Sequence, residues 1–229
     1  MKIDKQSKTL HIKSLETDEN ELKQINEYAL EPLTAEQVYT FKAVIGNNED
    51  DDRNDMPFSA SALKDLAKLY KGKTMIRDHK PSSENQIARV YATELRTDEG
   101  KTSGLGEPYT ELIAKCYMAK TPENEGLISE IKAGIKREVS TGFAVSKFRC
   151  SICGKSVCKH FIGDSYDGKK CMKIIVHCPD AYELSFVAVP AQPNAGTIKA
   201  AENPEEDPLE KKKAEIKSEL GASRIKYKF

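Results

Sequence analysis

Apolar and polar side chains alternate along several separate segments of this chain, and this two-residue period constrains its fold more than any other feature. Along VYTFKAVI, residues 38–45, the side chains at positions 39, 41, 43 and 45 are apolar, whereas Thr40 and Lys42 are polar. The same kind of pattern recurs in QIARVYATELR, TELIAKCYMA, REVSTGFAVSKF, KIIVHC and YELSFVAVP. Successive side chains of a strand point to opposite faces of the sheet, so each segment is predicted to be a strand.

Two other segments have the period of an amphipathic helix. The first follows Ser59, a residue type that caps helices, and its apolar positions are Leu63, Leu66, Ala67 and Tyr70. The second begins at the Thr121–Pro122 pair and ends near Gly134, and its apolar positions are Leu127, Ile131 and Ile135. Because strands outnumber helices, the sequence predicts an α+β core that is mainly β, with two or three helices.

Composition excludes several classes of protein. The chain has 229 residues, enough for one good core, and no apolar run approaches the roughly 20 residues that a membrane helix needs. Its N-terminus lacks the apolar region of a secretory signal. The 36 basic residues balance 36 acidic ones, which removes any global electrostatic case for nucleic-acid binding. We therefore expect a soluble protein, made in a cytosol, that does not bind membranes or nucleic acid directly.

The boundaries of the domain follow from shifts in composition. Residues 1–33 are polar and weakly patterned, and we expect them to pack loosely, or to form a short strand near His11, outside a domain at 34–200. Within that domain, residues 149–178 form a cysteine-rich insertion. Residues 201–229 are rich in Glu, Lys and Pro and are predicted to be a charged tail. Such a tail suits recruitment or self-cleavage, and a charged tail with neither role is the alternative.

Five of the six cysteines lie between Cys150 and Cys178, and this crowding favours a metal site. In CSICGKSVCKH, Cys150 and Cys153 form a C-x2-C knuckle followed by glycine. The predicted ligands of a structural Zn²⁺ are Cys150, Cys153, Cys158 and His160. Cys171 is the substitute if His160 points away, and His177 and Cys178 are expected to be non-ligating. Free thiols and a catalytic zinc are the alternatives.

His79 is the remaining candidate for a catalytic base among only four histidines. A serine is a poor nucleophile until a neighbouring base takes its proton, and histidine is the usual base near neutral pH. His160 is assigned to metal, His11 lies in a weakly patterned segment and His177 adjoins the cysteine cluster. Taken alone, however, a histidine at the end of a predicted strand is more often a surface residue.

Three segments together resemble the prohead maturation protease family of tailed phages. They are GNNEDDDRNDMPFSASALKDLAKLYKGKTMIRDHK, LISEIKAGIKREVSTGF and YELSFVAVPAQPNAG, and they occur in the order that the family shows. The resemblance covers about residues 36–198. Thr141 is a departure, because the family usually has an aliphatic residue between the serine and the glycine.

The resemblance implies a role for three residues. Ser140 matches the nucleophile, His79 matches the general base, and Glu183 matches an acidic position that orients the histidine. A solvent-facing strand residue is the alternative for Glu183. Glu138 is a weaker candidate for the same task, and Asp78 is weaker still, because adjacent strand residues point to opposite faces.

The resemblance also implies a fold and a function. The fold is a small, mostly antiparallel β-barrel flanked by helices, like that of the herpesvirus assembly proteases. The function is proteolysis inside the assembling prohead in the host cytoplasm, with scaffold and major capsid protein, and the protease itself, as substrates, and with self-association expected. The alternatives are a non-catalytic prohead scaffold protein of the same fold and a zinc-dependent nucleic-acid module.

Overall fold

The computed structural model of this protein describes residues 17–198. The region around His11 and the predicted charged tail at 201–229 lie outside the described residues.

Within this range the chain forms three α-helices, two short 3-10 helices and eleven strands. The helices are α1 (Glu19–Asn26), α2 (Ala60–Leu69) and α3 (Glu125–Lys132), and the 3-10 helices are Ala35–Gln37 and Ser83–Asn85. The strands are β1 (Val38–Asn47), β2 (Thr74–Arg77), β3 (Ala88–Thr102), β4 (Pro108–Ala119), β5 (Val139–Phe143), β6 (Lys147–Cys150), β7 (Ser165–Tyr166), β8 (Lys169–Lys170), β9 (Lys173–His177), β10 (Ala181–Phe186) and β11 (Gly196–Ile198). No helix in the described range is long and apolar enough to cross a membrane.

Seven strands form one sheet that nearly closes into a barrel. Their order is β11-β1-β4-β3-β2-β10-β5, and every neighbouring pair is antiparallel except β2 and β10. The two edge strands approach each other through a bridge between Glu138 and Gly196, next to a hydrogen bond of 2.8 Å from the Thr197 N–H to the Arg137 carbonyl. The prediction of a mainly β, mostly antiparallel barrel flanked by helices is therefore confirmed.

The interior of the barrel contains the apolar side chains that the alternation predicted. Phe41, Ala43 and Ile45 of β1 are buried, and α2 contributes Leu63 and Leu66 to the same core. The predicted cap is also present, because the Ser59 side chain accepts a hydrogen bond from the Ala62 N–H. Burial of these side chains supplies the main driving force for the fold.

Helix α3 begins later than the sequence suggested. Thr121 and Pro122 lie in a turn that is closed by a hydrogen bond from the Asn124 N–H to the Thr121 carbonyl, and the helix starts at Glu125. Gly134, with φ of +73°, ends the helix as predicted. Ile135 therefore lies beyond the helix and is 68% exposed, so its assignment to the apolar face was wrong, and Ile128 is buried instead.

Helix α1 replaces the loose packing expected for the N-terminal segment. Asp18 caps the helix, and Ile25 is fully buried in a small cluster with Val38 and Tyr91. The Tyr91 hydroxyl also donates to Glu21 Oε1 over 2.9 Å. Residues 19–26 carry few apolar side chains, so the pattern gave little sign that one isoleucine would attach this helix to the barrel.

The cysteine-rich insertion extends from the barrel on a two-stranded ribbon. Strand β6 pairs with β9, and the segment between them contains the short β7–β8 hairpin. A parallel bridge between Phe58 and Ile175 and an ion pair of 2.9 Å between Arg149 and Glu107 attach the ribbon to the barrel. Since β5 and β10 pair directly, the ribbon is an excursion between the two strands of one hairpin.

Candidate active site and metal centre

Strands β5 and β10 place Ser140 and Glu183 on the same face of the sheet. In their antiparallel register Ser140 lies opposite Ser185, and Gly142 lies opposite Glu183. Side chains of directly opposite residues point to the same face, and alternate residues of one strand share that face. A register shift between Ala181 and Glu183 sets this alignment.

Gly142 makes room for the Glu183 carboxylate. A Cβ atom at position 142 would overlap Glu183 Oε1, so no other residue fits opposite this glutamate without displacing its side chain. The carboxylate thus lies against β5, two residues from Ser140. This close approach gives a physical reason for the glycine in the Ser-Thr-Gly-Phe sequence.

Tyr70 fixes the two strands from the interior of the barrel. Its hydroxyl lies 3.0 Å from the Gly142 carbonyl and 3.3 Å from the Glu183 carbonyl, and its side chain is fully buried. Burial, with the nearby Glu183 charge, raises the pKa of Tyr70 well above its ordinary value, so the hydroxyl remains a donor.

His79 lies in a tight turn and not at the end of a strand. Strand β2 ends at Arg77, and a hydrogen bond of 3.1 Å from the Lys80 N–H to the Arg77 carbonyl closes the turn. Asp78 and His79 have φ of +54° and +53°, a conformation that costs a non-glycine residue about 1–3 kcal/mol. Asp78 is therefore not a strand residue, so the argument that strand alternation turns its side chain away from His79 was wrong. The Asp78 carboxylate nevertheless makes no hydrogen bond to another described residue.

The His79 ring forms a hydrogen bond with the Glu183 carboxylate. The distance from His79 Nδ1 to Glu183 Oε1 is 2.8 Å, and the His79 side chain is 44% exposed whereas that of Glu183 is 12% exposed. Ser185 completes the arrangement, because its Oγ donates to Glu183 Oε2 over 2.5 Å and accepts the His79 N–H over 3.1 Å. Both carboxylate oxygens are thus satisfied, and Nε2 makes no hydrogen bond within the described residues.

The structure brings two of the three predicted catalytic residues into direct contact. His79 and Glu183 form a hydrogen bond with each other, while Ser140, the second residue of β5, is partly exposed and makes no hydrogen bond to His79. One strand, β10, separates β5 from the strand that leads to His79. Sequence reasoning missed Ser185, although its position two residues after Glu183 in a strand places it on the same face.

Two cavities lie near the candidate catalytic residues. One of about 190 Å³ is lined by Ser140 and Thr141 together with apolar side chains, among them Phe58, Phe143 and Ile175. The other, of about 360 Å³, is lined by Glu138 and by residues next to His79, namely Arg77 and Asp78. The smaller cavity therefore provides concave surface beside the candidate nucleophile.

The four predicted metal ligands meet at one point of the insertion. The ligating atoms of Cys150, Cys153, Cys158 and His160 all lie within 4.8 Å of one another, a grouping that can bind a metal ion. Three thiolates and one imidazole form a donor set that suits tetrahedral zinc. These four residues therefore fit the predicted metal, a Zn²⁺ ion.

The knuckle turn directs backbone N–H groups toward the first sulfur. The Ile152 N–H lies 3.4 Å from Cys150 Sγ, and Gly154 adopts φ of +72° where the turn closes. Burial raises the pKa of Cys150, but hydrogen bonds from the N–H groups of Cys153 and Ile152 and from the thiols of Cys158 and Cys171 together lower the pKa to about 6. The turn thus stabilises the thiolate form that binds metals.

Cys171 is a close neighbour of this group. Its Sγ lies 3.8 Å from Cys150 Sγ, and burial and the adjacent Cys150 raise the pKa of Cys171 to about 11. His177 bonds instead to Asp65, with 2.6 Å between Nδ1 and Oδ2, and Cys178 is buried. Neither belongs to the group of four.

Comparisons with models of protein families, with curated proteins and with solved structures find no match to this chain.

Replacement of Gly142 by alanine is expected to separate His79 from Glu183. The new methyl group must displace the carboxylate, at a cost of about 1–3 kcal/mol in the free energy of unfolding. In NMR spectra, the His79 Nδ1–H resonance is expected to lose the downfield shift of a carboxylate hydrogen bond. The matched control is Gly126→Ala in α3, where a Cβ meets nothing within 4 Å. A Gly142→Ala spectrum identical to that of the control would contradict the close approach.

The purified protein is expected to contain about one zinc ion per chain by mass spectrometry of metals. Cys158→Ser is expected to reduce this content to well below one and to lower the melting temperature, because the ligand set is then incomplete. Cys171→Ser is the matched control and is expected to retain the metal. Loss of the metal from Cys171→Ser, together with its retention in His160→Ala, would show that Cys171 takes the place of His160 as the fourth ligand.

Proposed function

We propose that this protein is a serine endopeptidase of virus capsid maturation. The observation that carries the proposal is the hydrogen bond between His79 Nδ1 and Glu183 Oε1, which joins the turn after β2 to strand β10, the neighbour of the strand that bears Ser140. A carboxylate on Nδ1 fixes the tautomer in which Nε2 accepts a proton. A histidine prepared in this way activates a hydroxyl nucleophile, and the partly exposed Ser140 lies one strand away, on the same face of the sheet as Glu183.

In the proposed reaction, Ser140 Oγ attacks the carbonyl carbon of a peptide bond. His79 Nε2 takes the Ser140 proton and passes it to the amine that leaves, and Glu183 stabilises the imidazolium in between. Water then repeats the sequence on the acyl-enzyme and releases the second product. The absence of a hydrogen bond between Ser140 and His79 is compatible with this scheme, because catalytic hydrogen bonds often tighten only when substrate binds.

Burial favours Ser140 over Ser185 as the nucleophile. Ser185 is fully buried, and its hydroxyl is engaged with the Glu183 carboxylate and with the His79 N–H. Ser140 is partly exposed and lines a cavity of about 190 Å³. In this proposal Ser185 holds Glu183 in place, and Ser140 reacts.

The assignment to capsid maturation rests on the three-segment resemblance, and the three segments contact one another in the fold. Asn47 of the first segment and Gln192 of the third are joined by two buried hydrogen bonds of 2.7 and 3.0 Å. The second and third segments contribute the paired strands β5 and β10. The proposed substrates are the scaffold and major capsid proteins and the protease itself, and the proposed location is the assembling prohead in the host cytoplasm.

The metal in this proposal is zinc with a structural role, held by Cys150, Cys153, Cys158 and His160. Bound there, zinc would cross-link a segment that contains few buried apolar side chains. The ribbon that carries these ligands connects β5 with β10, so the metal would stabilise the hairpin that holds Ser140 and Glu183.

Wild-type protein, co-expressed with the scaffold and major capsid proteins of the same virus, is expected to shorten them. Ser140→Ala is expected to lower the cleavage rate by about 10⁴- to 10⁶-fold, and Glu183→Gln by about 10⁴-fold. Gel electrophoresis and mass spectrometry of the products measure both rates. Ser129→Ala, an exposed serine of α3, is the matched control and is expected to cleave normally.

The outcomes of this experiment separate the two main candidate functions. If wild type and Ser140→Ala both fail to cleave, while both assemble with the scaffold protein, the chain is a non-catalytic prohead component. Cleavage that survives in Ser140→Ala but disappears in Ser185→Ala would show that the nucleophile is Ser185 of β10.

A further inference from the structure

The Asn85 side chain links the two ends of the turn that carries His79. Asn85 Nδ2 donates to the Arg77 carbonyl and to the Lys80 carbonyl, each over 2.8 Å. These carbonyls belong to the first and last residues of the turn. Asn85 therefore forms hydrogen bonds on both sides of Asp78 and His79, the two residues with positive φ.

This turn has a conformation that needs support from its surroundings. Asp78 and His79 both adopt positive φ without being glycine, and Pro81 follows directly with no N–H to donate. Two hydrogen bonds attach the turn to β10, from the Asp78 N–H to the Phe186 carbonyl and from the His79 N–H to Ser185 Oγ. The Asn85 bonds differ from these because they hold the ends of the turn together.

Asn85 itself is held in a fixed place relative to β2. It ends a 3-10 helix, and its N–H donates to the Ser82 carbonyl over 3.2 Å. Two residues later, Ile87 is buried and its N–H donates to the Met75 carbonyl of β2 over 2.9 Å. The amide group is thus anchored to the same strand that leads into the turn.

We propose that Asn85 is a positioning residue for His79. It holds the turn in the one conformation that places His79 Nδ1 on Glu183, and so keeps Nε2 available for the Ser140 proton. An asparagine suits this task because a single nitrogen supplies two donors, whereas an aspartate of the same shape supplies none. The positioning role rests on the proposed protease function, but the bond between His79 and Glu183 can be measured without it.

Two readouts test the role in full-length protein. The first is the NMR signal of the His79 Nδ1–H proton. The second is the rate of reaction with diisopropyl fluorophosphate, in which Ser140 Oγ bonds to phosphorus, fluoride leaves and His79 takes the serine proton. Asn85→Asp and Asn85→Ala are expected to weaken the His79 signal and to slow the reaction about 10- to 100-fold, because a small misplacement of a catalytic group has effects of this size.

Asn26→Ala is the matched control. Asn26 also makes two hydrogen bonds to backbone, to the Leu33 carbonyl and from the Leu33 N–H, but it holds a loop after α1. This variant is expected to retain the His79 signal and to react within twofold of wild type. Asn85→Asp with a wild-type rate and an unchanged His79 signal would overturn the proposal.

A glycine at position 78 gives a second, independent test. Glycine adopts positive φ without strain, so Asp78→Gly added to Asn85→Ala is expected to recover part of the lost rate, whereas Asp78→Ala is not. Equal rates in the two double variants would contradict the role of Asn85 in holding a strained turn. If wild type does not react with the fluorophosphate, the protease function fails, and the His79 signal alone decides whether Asn85 positions the ring.

Discussion

The pairing of β5 with β10 is the constraint on which the candidate site depends. Its register places Gly142 opposite Glu183 and Ser140 opposite Ser185, and only a glycine leaves space for the carboxylate against β5. A shift of one residue would turn Glu183 to the other face of the sheet. Tyr70 fixes the register from the core, and Ser185 satisfies the carboxylate oxygen that His79 does not reach. The His79 ring is thus held by Glu183, whose position is set by Tyr70 at the end of α2 and by residues of β5 and β10, and the turn that carries the ring contains two residues with positive φ.

The cysteine-rich ribbon has a structural place in this arrangement because it interrupts the hairpin that contains the candidate nucleophile. Strands β6 and β9 leave the barrel after β5 and return to it before β10. Contacts from Arg149 to Glu107 and from His177 to Asp65 attach the ribbon to the barrel. A metal at the tip would stabilise an insertion that buries little apolar surface itself, which is the usual reason for a structural zinc in so short a segment.

Periodicity predicted the parts of the fold that depend on local burial, and spacing predicted the metal cluster. The inward side chains of β1 and α2 followed their two- and 3.6-residue periods, and the four ligands followed the crowding of cysteines. The pattern could not predict α1, since Ile25 is the one fully buried residue in a helix that otherwise carries few apolar side chains. Nor could it predict the turn at His79, because two non-glycine residues with positive φ have no local signature and are held by contacts with distant residues such as Ser185. The contacts of Asn85 became visible only in the structure, whereas the spacing of Ser185 from Glu183 already placed both residues on one face of β10.

A crystal structure of the protein after reaction with diisopropyl fluorophosphate would test the central claim most directly. The account predicts a phosphoryl group on Ser140 Oγ. His79 Nε2 is then expected to lie about 2.6–3.2 Å from that Oγ, with Nδ1 still hydrogen-bonded to Glu183. An unmodified Ser140, a phosphoryl group on Ser185, or a His79 ring turned away from both strands would contradict it.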